Sequence, residues 1–224
     1  MQHLVNPIRE RPISATVADL RSAHDFLVIR ATESIAGLAT HPISWGVEAK
    51  RIHVNLPLEE RPHLVGKDKE RLIEIINIAA TIERLIDALE WFGAQAEYSQ
   101  LIVGECHPST SDAAAGNDIV LATVGGQVRV RGEVCDVTTA KVGQNNKEKK
   151  EIENLGCTHG VPLDGVDRFI VTAPEFGGAL TSRRRRWADL PYRYLTLQLD
   201  TPSRTQLLKL KPAQAGGPGT PTDL

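Results

Sequence analysis

The strongest hydrophobic pattern in the chain runs from about Asp68 to Gly93, where apolar residues return every three or four positions. This spacing predicts an amphipathic helix that ends at the glycine. A weaker repeat predicts another helix over residues 14–34, with Ser14 or Thr16 as its N-cap. The apolar positions of the stronger helix are Leu72, Ile75, Ile76, Ala79, Ile82, Ile86 and Leu89.

Five shorter segments predict β-strands, because they are apolar or alternate apolar and polar residues between turn signals. They cover residues 98–105, 118–124, 128–137, 168–173 and 192–199. The pair Gly125–Gly126 predicts a hairpin between the second and third strands. Residues 147–155 predict a Lys-rich helix that stops at Gly156. This order of elements predicts an α/β fold with a central mixed β-sheet flanked by helices.

Proline and glycine divide the chain into three predicted parts. Residues 1–67 form an N-terminal helix and a loop-rich arm, residues 68–211 form the α/β core, and residues 212–224 form a Pro/Gly-rich disordered tail.

Composition narrows the class of protein. Apolar residues make up 41% of the 224 residues and aromatic residues only 4%, so we expect one large domain with a mostly aliphatic core. The net charge of -2 argues against a uniformly basic nucleic-acid binder but allows a local basic surface. Three widely spaced cysteines do not resemble a disulfide framework and indicate a cytoplasmic protein. No segment is apolar enough to predict a membrane span or a signal core.

Two acidic residues in the predicted hairpin provide the candidate chemistry. Asp118 opens one strand, and Glu133 lies within the next, where glutamate is disfavoured. Carboxylates on adjacent strands can bind a hard cation such as Mg²⁺, and nearby lysines can hold a phosphate. Asp136 is set aside as a ligand because alternation turns it to the other face of the strand. The alternative is a hairpin whose charges are simply solvated.

The segments GNDIVL and RGEVCDV, within residues 68–175, resemble the PD-(D/E)XK nuclease superfamily. The resemblance implies a restriction-endonuclease-like fold in which Asp118 and Glu133 bind Mg²⁺ or Mn²⁺. It also implies a further metal contact from the backbone carbonyl of Cys135. A third carboxylate would come from the preceding helix, with Glu83 preferred to Glu74.

Cys135 stands where this superfamily has its lysine, and a thiol cannot supply that positive charge. Lys141, or a helix lysine at 147 or 150, would have to supply it instead. Gln144 could orient the attacking water, or the site could have kept binding and lost cleavage.

Two basic segments predict contacts with nucleic acid, with DNA as the first expectation. Lys147 and Lys150 lie in the first turns of a predicted helix, where the macrodipole favours an anion such as phosphate. The other segment is the run Arg183, Arg184, Arg185 and Arg186, close to several aromatic residues. The alternatives are a solvated helix with pairs such as Lys147–Glu151 and an exposed arginine loop. A zinc site is disfavoured because the chain has no C-x-x-C pair.

The sequence thus predicts a Mg²⁺-dependent endonuclease or nuclease-like DNA-processing protein of restriction, defence or repair. One alternative is a catalytically inactive module of the same fold that binds nucleic acid or a protein partner. Another is an unrelated α/β interaction protein. A homodimer is expected from the resemblance alone, since enzymes that cut both DNA strands often act as dimers.

Overall fold

The computed structural model describes a large part of the chain, in separate ranges. These are residues 16–39, 56–57, 69–70, 72–106, 117–135, 145–157, 159–174, 177, 191–197, 199 and 205–213. The helices within them are α1 (Val17–Ala39), α2 (Leu72–Ala94) and α3 (Asn145–Asn154). The strands are β1 (Leu56–Pro57), β2 (Lys69–Glu70), β3 (Ile102–Cys106), β4 (Ile119–Ala122), β5 (Val128–Cys135), β6 (Asp167–Thr172), β7 (Tyr192–Leu197) and β8 (Gln206–Pro212).

Six strands form one mixed sheet in the order β3-β4-β5-β6-β8-β7. β3, β4 and β5 are antiparallel neighbours in sequence order. β5 and β6 are parallel, so the chain needs a crossover between them, and that connection carries α3. β8 lies between β6 and β7 and is antiparallel to both. The short strands β1 and β2 pair with each other only.

Apolar side chains cover both faces of this sheet. One core cluster joins α1 and α2 to alternate strand residues such as Val134 and Phe169. The other joins α3 to the intervening residues, including Cys135 and Ile170. The predicted α/β fold with a central mixed sheet flanked by helices is therefore confirmed. Burial of residues 168–173 on both faces, as their continuous apolar character predicted, is also confirmed.

The few aromatic residues concentrate where α2 meets the sheet. Trp91, Phe92, Tyr98 and Phe169 contact one another, with ring centroids from 5.0 Å (Phe92–Phe169) to 6.2 Å (Trp91–Phe169) apart. Most of these contacts are edge-to-face, a favourable arrangement for aromatic pairs. The aliphatic core expected from composition thus has an aromatic centre.

A buried charged group accompanies these aromatic rings. Lys209 on β8 lies with its Nζ 2.7 Å from Asp167 Oδ2 and donates to the Tyr98 hydroxyl at 2.8 Å. The Tyr98 hydroxyl in turn donates to Asp167 Oδ2 at 2.7 Å. Burial, followed by the hydrogen bond with Asp167, raises the pKa of Tyr98. The Lys209 ammonium thus has an anionic and a hydroxyl partner, which allows a lysine to lie in the core.

The helix boundaries agree with the sequence prediction to within a few residues, except at the end of α1. Thr16 caps α1, since its Oγ1 accepts from the Asp19 N–H and Asp19 Oδ2 accepts from the Thr16 N–H. The helix continues to Ala39, five residues beyond its predicted end at Ser34. α1 packs on α2, so this part of residues 1–67 contributes to the main core.

The strands differ from the prediction at several places. Residues 69–70, predicted as the start of α2, form β2 instead. Residues 98–100 form a turn, so β3 begins only at Ile102. β8 was not predicted, although Leu208, Lys209, Leu210 and Lys211 alternate apolar and polar residues as a strand does. The hairpin between β4 and β5 is confirmed, with Gly126 at φ +83° and its N–H donating to the Thr123 carbonyl.

The last turn of α3 explains why a glycine follows it. Gly156 has φ +73°, and its N–H donates to the Glu153 carbonyl. The Cys157 N–H donates to the Ile152 carbonyl, which completes a Schellman motif. The predicted stop at Gly156 is therefore confirmed. Gly93, predicted as the end of α2, lies inside its last turn with open space around it.

The same substitution at these two glycines is expected to have opposite effects. Gly156→Ala should lower the free energy of unfolding by about 1 kcal/mol, because an alanine is strained at positive φ. Gly93→Ala should raise it by roughly 0.5–1 kcal/mol, because alanine is the better helix former. Urea denaturation of both variants measures the difference, and equal signs would contradict these conformations.

Arg168 joins the end of α3 to the start of β6. Its Nε donates to the Leu155 carbonyl at 2.8 Å, and Nη1 donates to the Val166 carbonyl at 2.7 Å. Nη1 and Nη2 also donate to the two carboxylate oxygens of Asp164 at 2.9 and 2.7 Å. These hydrogen bonds hold the pKa of Asp164 well below its usual range.

We expect Arg168→Lys to destabilise the fold by about 2–4 kcal/mol, because an ammonium cannot reproduce the planar fork. Thermal unfolding at neutral pH measures this. Asp164→Asn is the matched control, since it removes one charge and leaves both carbonyl contacts of Arg168 intact, and it should lose less. Equal losses of stability in the two variants would show that the ion pair with Asp164, and not the hydrogen bond to the Leu155 carbonyl, stabilises the fold.

Candidate functional site

Asp118 and Glu133 come together on adjacent strands. Ile119 pairs with Gly132 and Val120 with Arg131, so the same register continued by one residue sets Asp118 opposite Glu133. Directly opposed residues of an antiparallel pair have neighbouring side chains on one face of the sheet. Asp118 Oδ2 also accepts a hydrogen bond from the Val134 N–H at 2.7 Å. The fold thus brings the two predicted carboxylates to one place.

Glu133 points toward α3 and is nearly sealed from solvent, with 2% of its surface exposed. Its Oε1 accepts from Asn117 Nδ2 at 2.6 Å, and its Oε2 lies 3.4 Å from Asn154 Nδ2. Burial, the charge of Asp118 and a hydrogen bond with the Glu151 side chain together raise the pKa of Glu133 to about 9. At neutral pH this side chain is therefore a carboxylic acid, and a cation must displace its proton.

Glu151 is a further carboxyl group, beside Glu133, that the sequence analysis missed. It lies on α3 with 7% of its surface exposed, hydrogen-bonded to Glu133. The interpretation of this helix as a fully solvated charged surface is therefore wrong at Glu151. The available signal was its position beside Ile152 and four residues before Leu155, which are the apolar positions of the helix.

Asn117 was also missed. Only 4% of its surface is exposed, and its Nδ2 donates both to Glu133 Oε1 and to the Asn154 carbonyl at 3.0 Å. Its Oδ1 accepts from Arg131 Nη1 at 3.4 Å. An asparagine just before a strand is a common turn residue, so the sequence carried no signal for this role.

Cys135 is completely buried in the cluster of apolar residues under α3. Its carbonyl accepts a hydrogen bond from Thr172 Oγ1 at 2.9 Å, and the predicted metal contact of this carbonyl stays a prediction. Arg131 shares the face of β5 with Glu133 and Cys135, two residues before the glutamate. The Arg131 guanidinium thus lies on the N-terminal side of Glu133 along β5, whereas the expected lysine would lie on its C-terminal side at position 135.

Glu83 does not join these carboxyl groups. It lies on α2, which covers the other face of the sheet, and its side chain is 58% exposed. Its Oε1 lies 2.8 Å from His24 Nε2, across the contact between α1 and α2. The backbone of Glu74 is part of α2, and its side chain lies outside the described part of the chain.

The basic residues predicted to contact nucleic acid are described only in part. Lys150 is exposed on α3. The Nζ of its neighbour Lys149 lies 3.7 Å from Glu153 Oε1. The side chain of Lys147 is outside the described atoms. Lys141, Gln144 and the arginine run 183–186 fall outside the described residues altogether. Their contacts with nucleic acid stay predictions.

Comparison with known proteins gives no relative: the chain matches no protein-family model, no curated protein and no solved structure. In the described ranges, no three His, Cys, Asp or Glu side chains meet as a ready group of metal ligands. None of the helices in those ranges is long and apolar enough to span a membrane.

Proposed function

We propose that this protein is a nuclease-like DNA-processing enzyme that hydrolyses phosphodiester bonds with Mg²⁺ or Mn²⁺ held by Asp118 and Glu133. The observation that carries the proposal is the cross-strand position of these two carboxyl groups, where the β4–β5 register sets them opposite each other. The proximity of the two groups also supports the proposal, since the charge of Asp118 is one cause of the raised pKa of Glu133.

The order of elements supports a restriction-endonuclease-like fold. α2 precedes an antiparallel set of three strands, α3 follows, and β6 then returns parallel to β5. A helix before the sheet, an acid at the start of one strand, a second acid on the next, and then a helix and a strand are what the resemblance implies. Asp118 immediately precedes β4, and Glu133 lies within β5.

The donor set fits a hard cation. Mg²⁺ in proteins is usually bound through one or two carboxylates and keeps several water molecules, so a third acid is not required. The bound ion would activate a water molecule and neutralise negative charge on the phosphoryl oxygens. Arg131 brings a permanent positive charge to Asn117, the residue that contacts Glu133, whereas the buried thiol of Cys135 carries none. Lys141 stays a second prediction for this role.

Metal binding and DNA nicking test the proposal together. Both are measured near pH 9, where the raised pKa of Glu133 allows its carboxylate form. We expect saturable binding of Mn²⁺ by calorimetry, a rise in melting temperature with Mn²⁺, and nicking of supercoiled DNA in Mg²⁺ or Mn²⁺. A protein that neither binds Mn²⁺ nor nicks DNA at this pH would overturn the proposal.

A second candidate function is a module of this fold that binds nucleic acid without cutting it. The observation that favours it is the sealed state of the site, with Glu133 buried and Cys135 packed where a lysine is expected. This candidate predicts DNA binding that weakens steeply with salt and is unchanged by Asp118→Asn, with no nicking by the unaltered protein. Nicking that depends on the divalent ion would exclude it.

A further inference from the structure

We propose that Asn117 is a positioning residue that couples the cation site to the seating of α3. The inference rests on the proposed function, because it concerns the same carboxyl pair. Its physical basis is the amide group of Asn117, which contacts the Glu133 side chain and the end of α3 at once.

The amide group of Asn117 is used almost completely. Nδ2 has two protons, and two acceptors lie within reach: Glu133 Oε1 at 2.6 Å and the Asn154 carbonyl oxygen at 3.0 Å. Oδ1 accepts from the Arg131 guanidinium. In the reverse orientation, the amide oxygen would face the Asn154 carbonyl oxygen and the NH₂ would face the Arg131 guanidinium. Both contacts would be repulsive, so the neighbours fix one orientation.

These contacts join two parts of the site that the chain keeps apart. Asn117 precedes β4, Glu133 lies on β5, and Asn154 is the last residue of α3. Since Asn117 is almost fully buried, water cannot replace a contact that it loses. A shift of the Glu133 carboxyl toward a cation is therefore transmitted to the last turn of α3, and displacement of α3 frees the carboxyl.

A hydrogen bond that orients a ligand contributes to metal affinity in a measurable way. Changes to such partners typically weaken binding about 10–100-fold. We expect Asn117→Ala to weaken Mn²⁺ binding within that range and to speed amide hydrogen exchange in the last turn of α3. In the unaltered protein, Mn²⁺ should slow exchange in the same turn, and in Asn117→Ala this effect should disappear.

Two further variants make the test specific. Asn117→Leu keeps about the same volume but removes the NH₂ donor and adds no metal ligand, so it should lose Mn²⁺ affinity as Asn117→Ala does. It also serves as the test if the alanine variant does not fold. Asn154→Ala keeps the backbone carbonyl that Asn117 contacts and removes only a side chain at 3.4 Å from Glu133. Its loss of affinity should be several times smaller.

The outcomes separate this inference from the proposed function. Wild-type affinity in both Asn117 variants, with normal Mn²⁺ binding by the unaltered protein, would overturn the inference and leave the proposed function standing. An equal loss in Asn154→Ala would also overturn it, because the carbonyl contact would then not be decisive. If the unaltered protein binds no Mn²⁺, the proposed function fails and the coupling fails with it.

Discussion

Asp118→Asn is expected to reduce Mg²⁺-dependent nicking of DNA by about a hundredfold or more, because removal of a ligand charge removes several kcal/mol of transition-state stabilisation. The fold should survive, since an asparagine oxygen can still accept the hydrogen bond from the Val134 N–H. The variant also loses the charge of Asp118 that contributes to the raised pKa of Glu133. Nicking rates and melting temperatures of the purified protein measure both effects.

The matched control is the same change on α1. Asp25→Asn removes an exposed carboxylate far from the site and should leave nicking at the wild-type rate. Glu83→Gln tests whether a helix carboxylate joins the site, and the position of Glu83 on the other side of the sheet predicts little change in nicking. Equal nicking by Asp118→Asn and the unaltered protein would remove Asp118 from the mechanism.

Glu133→Gln is expected to make the protein more stable above neutral pH while abolishing cation binding. The pKa of Glu133 is about 9 in the folded state against an ordinary value of 4.5, so the folded protein holds this proton more tightly. The stabilisation is complete below pH 4.5 and is lost as the pH rises toward 9. The slope reaches about 1.4 kcal/mol per pH unit, with an upper limit of roughly 6 kcal/mol in total.

Glutamine reproduces the protonated acid without titrating. Its oxygen can accept from Asn117, and its NH₂ can donate to Glu151. The unfolding free energy of Glu133→Gln should therefore depend less on pH between 5 and 9 than that of the unaltered protein. Urea titrations at several pH values measure the two slopes. Glu153→Gln, an exposed change on the same helix, should keep the wild-type slope, and identical slopes for Glu133→Gln would contradict the raised pKa.

The fold was predictable from sequence where apolar periodicity and turn chemistry agree. The long apolar repeat of α2, the glycine hairpin after β4 and the glycine after α3 each leave a local signal that packing then reinforces. β8 left a weaker signal, since Leu208, Lys209, Leu210 and Lys211 alternate apolar and polar residues in a segment that borders the Pro/Gly-rich tail. The alternation would set Lys209 on a solvated face, and only its contacts with Asp167 and Tyr98 show that it is buried.

The residues of the candidate site also differ in how far the sequence could predict them. Asp118 and Glu133 could be proposed from the sequence because an acid inside a strand is disfavoured and the neighbouring predicted strand opens with a second acid. Asn117 could not, since an asparagine in a turn is ordinary, and Glu151 left only an indirect signal in its position beside the apolar residues Ile152 and Leu155. Asn117 meets Glu133 through the pairing of β4 with β5, and Glu151 meets it through the packing of α3 on β5.

A crystal structure of the protein grown near pH 9 with Mn²⁺ tests the central claim most directly. Anomalous scattering should locate one ion or more coordinated by oxygen atoms of both Asp118 and Glu133. Glu133 would then have exchanged its contact with Glu151 for the metal and kept the one with Asn117. A site without manganese, with Glu133 still hydrogen-bonded to Glu151, would contradict the account.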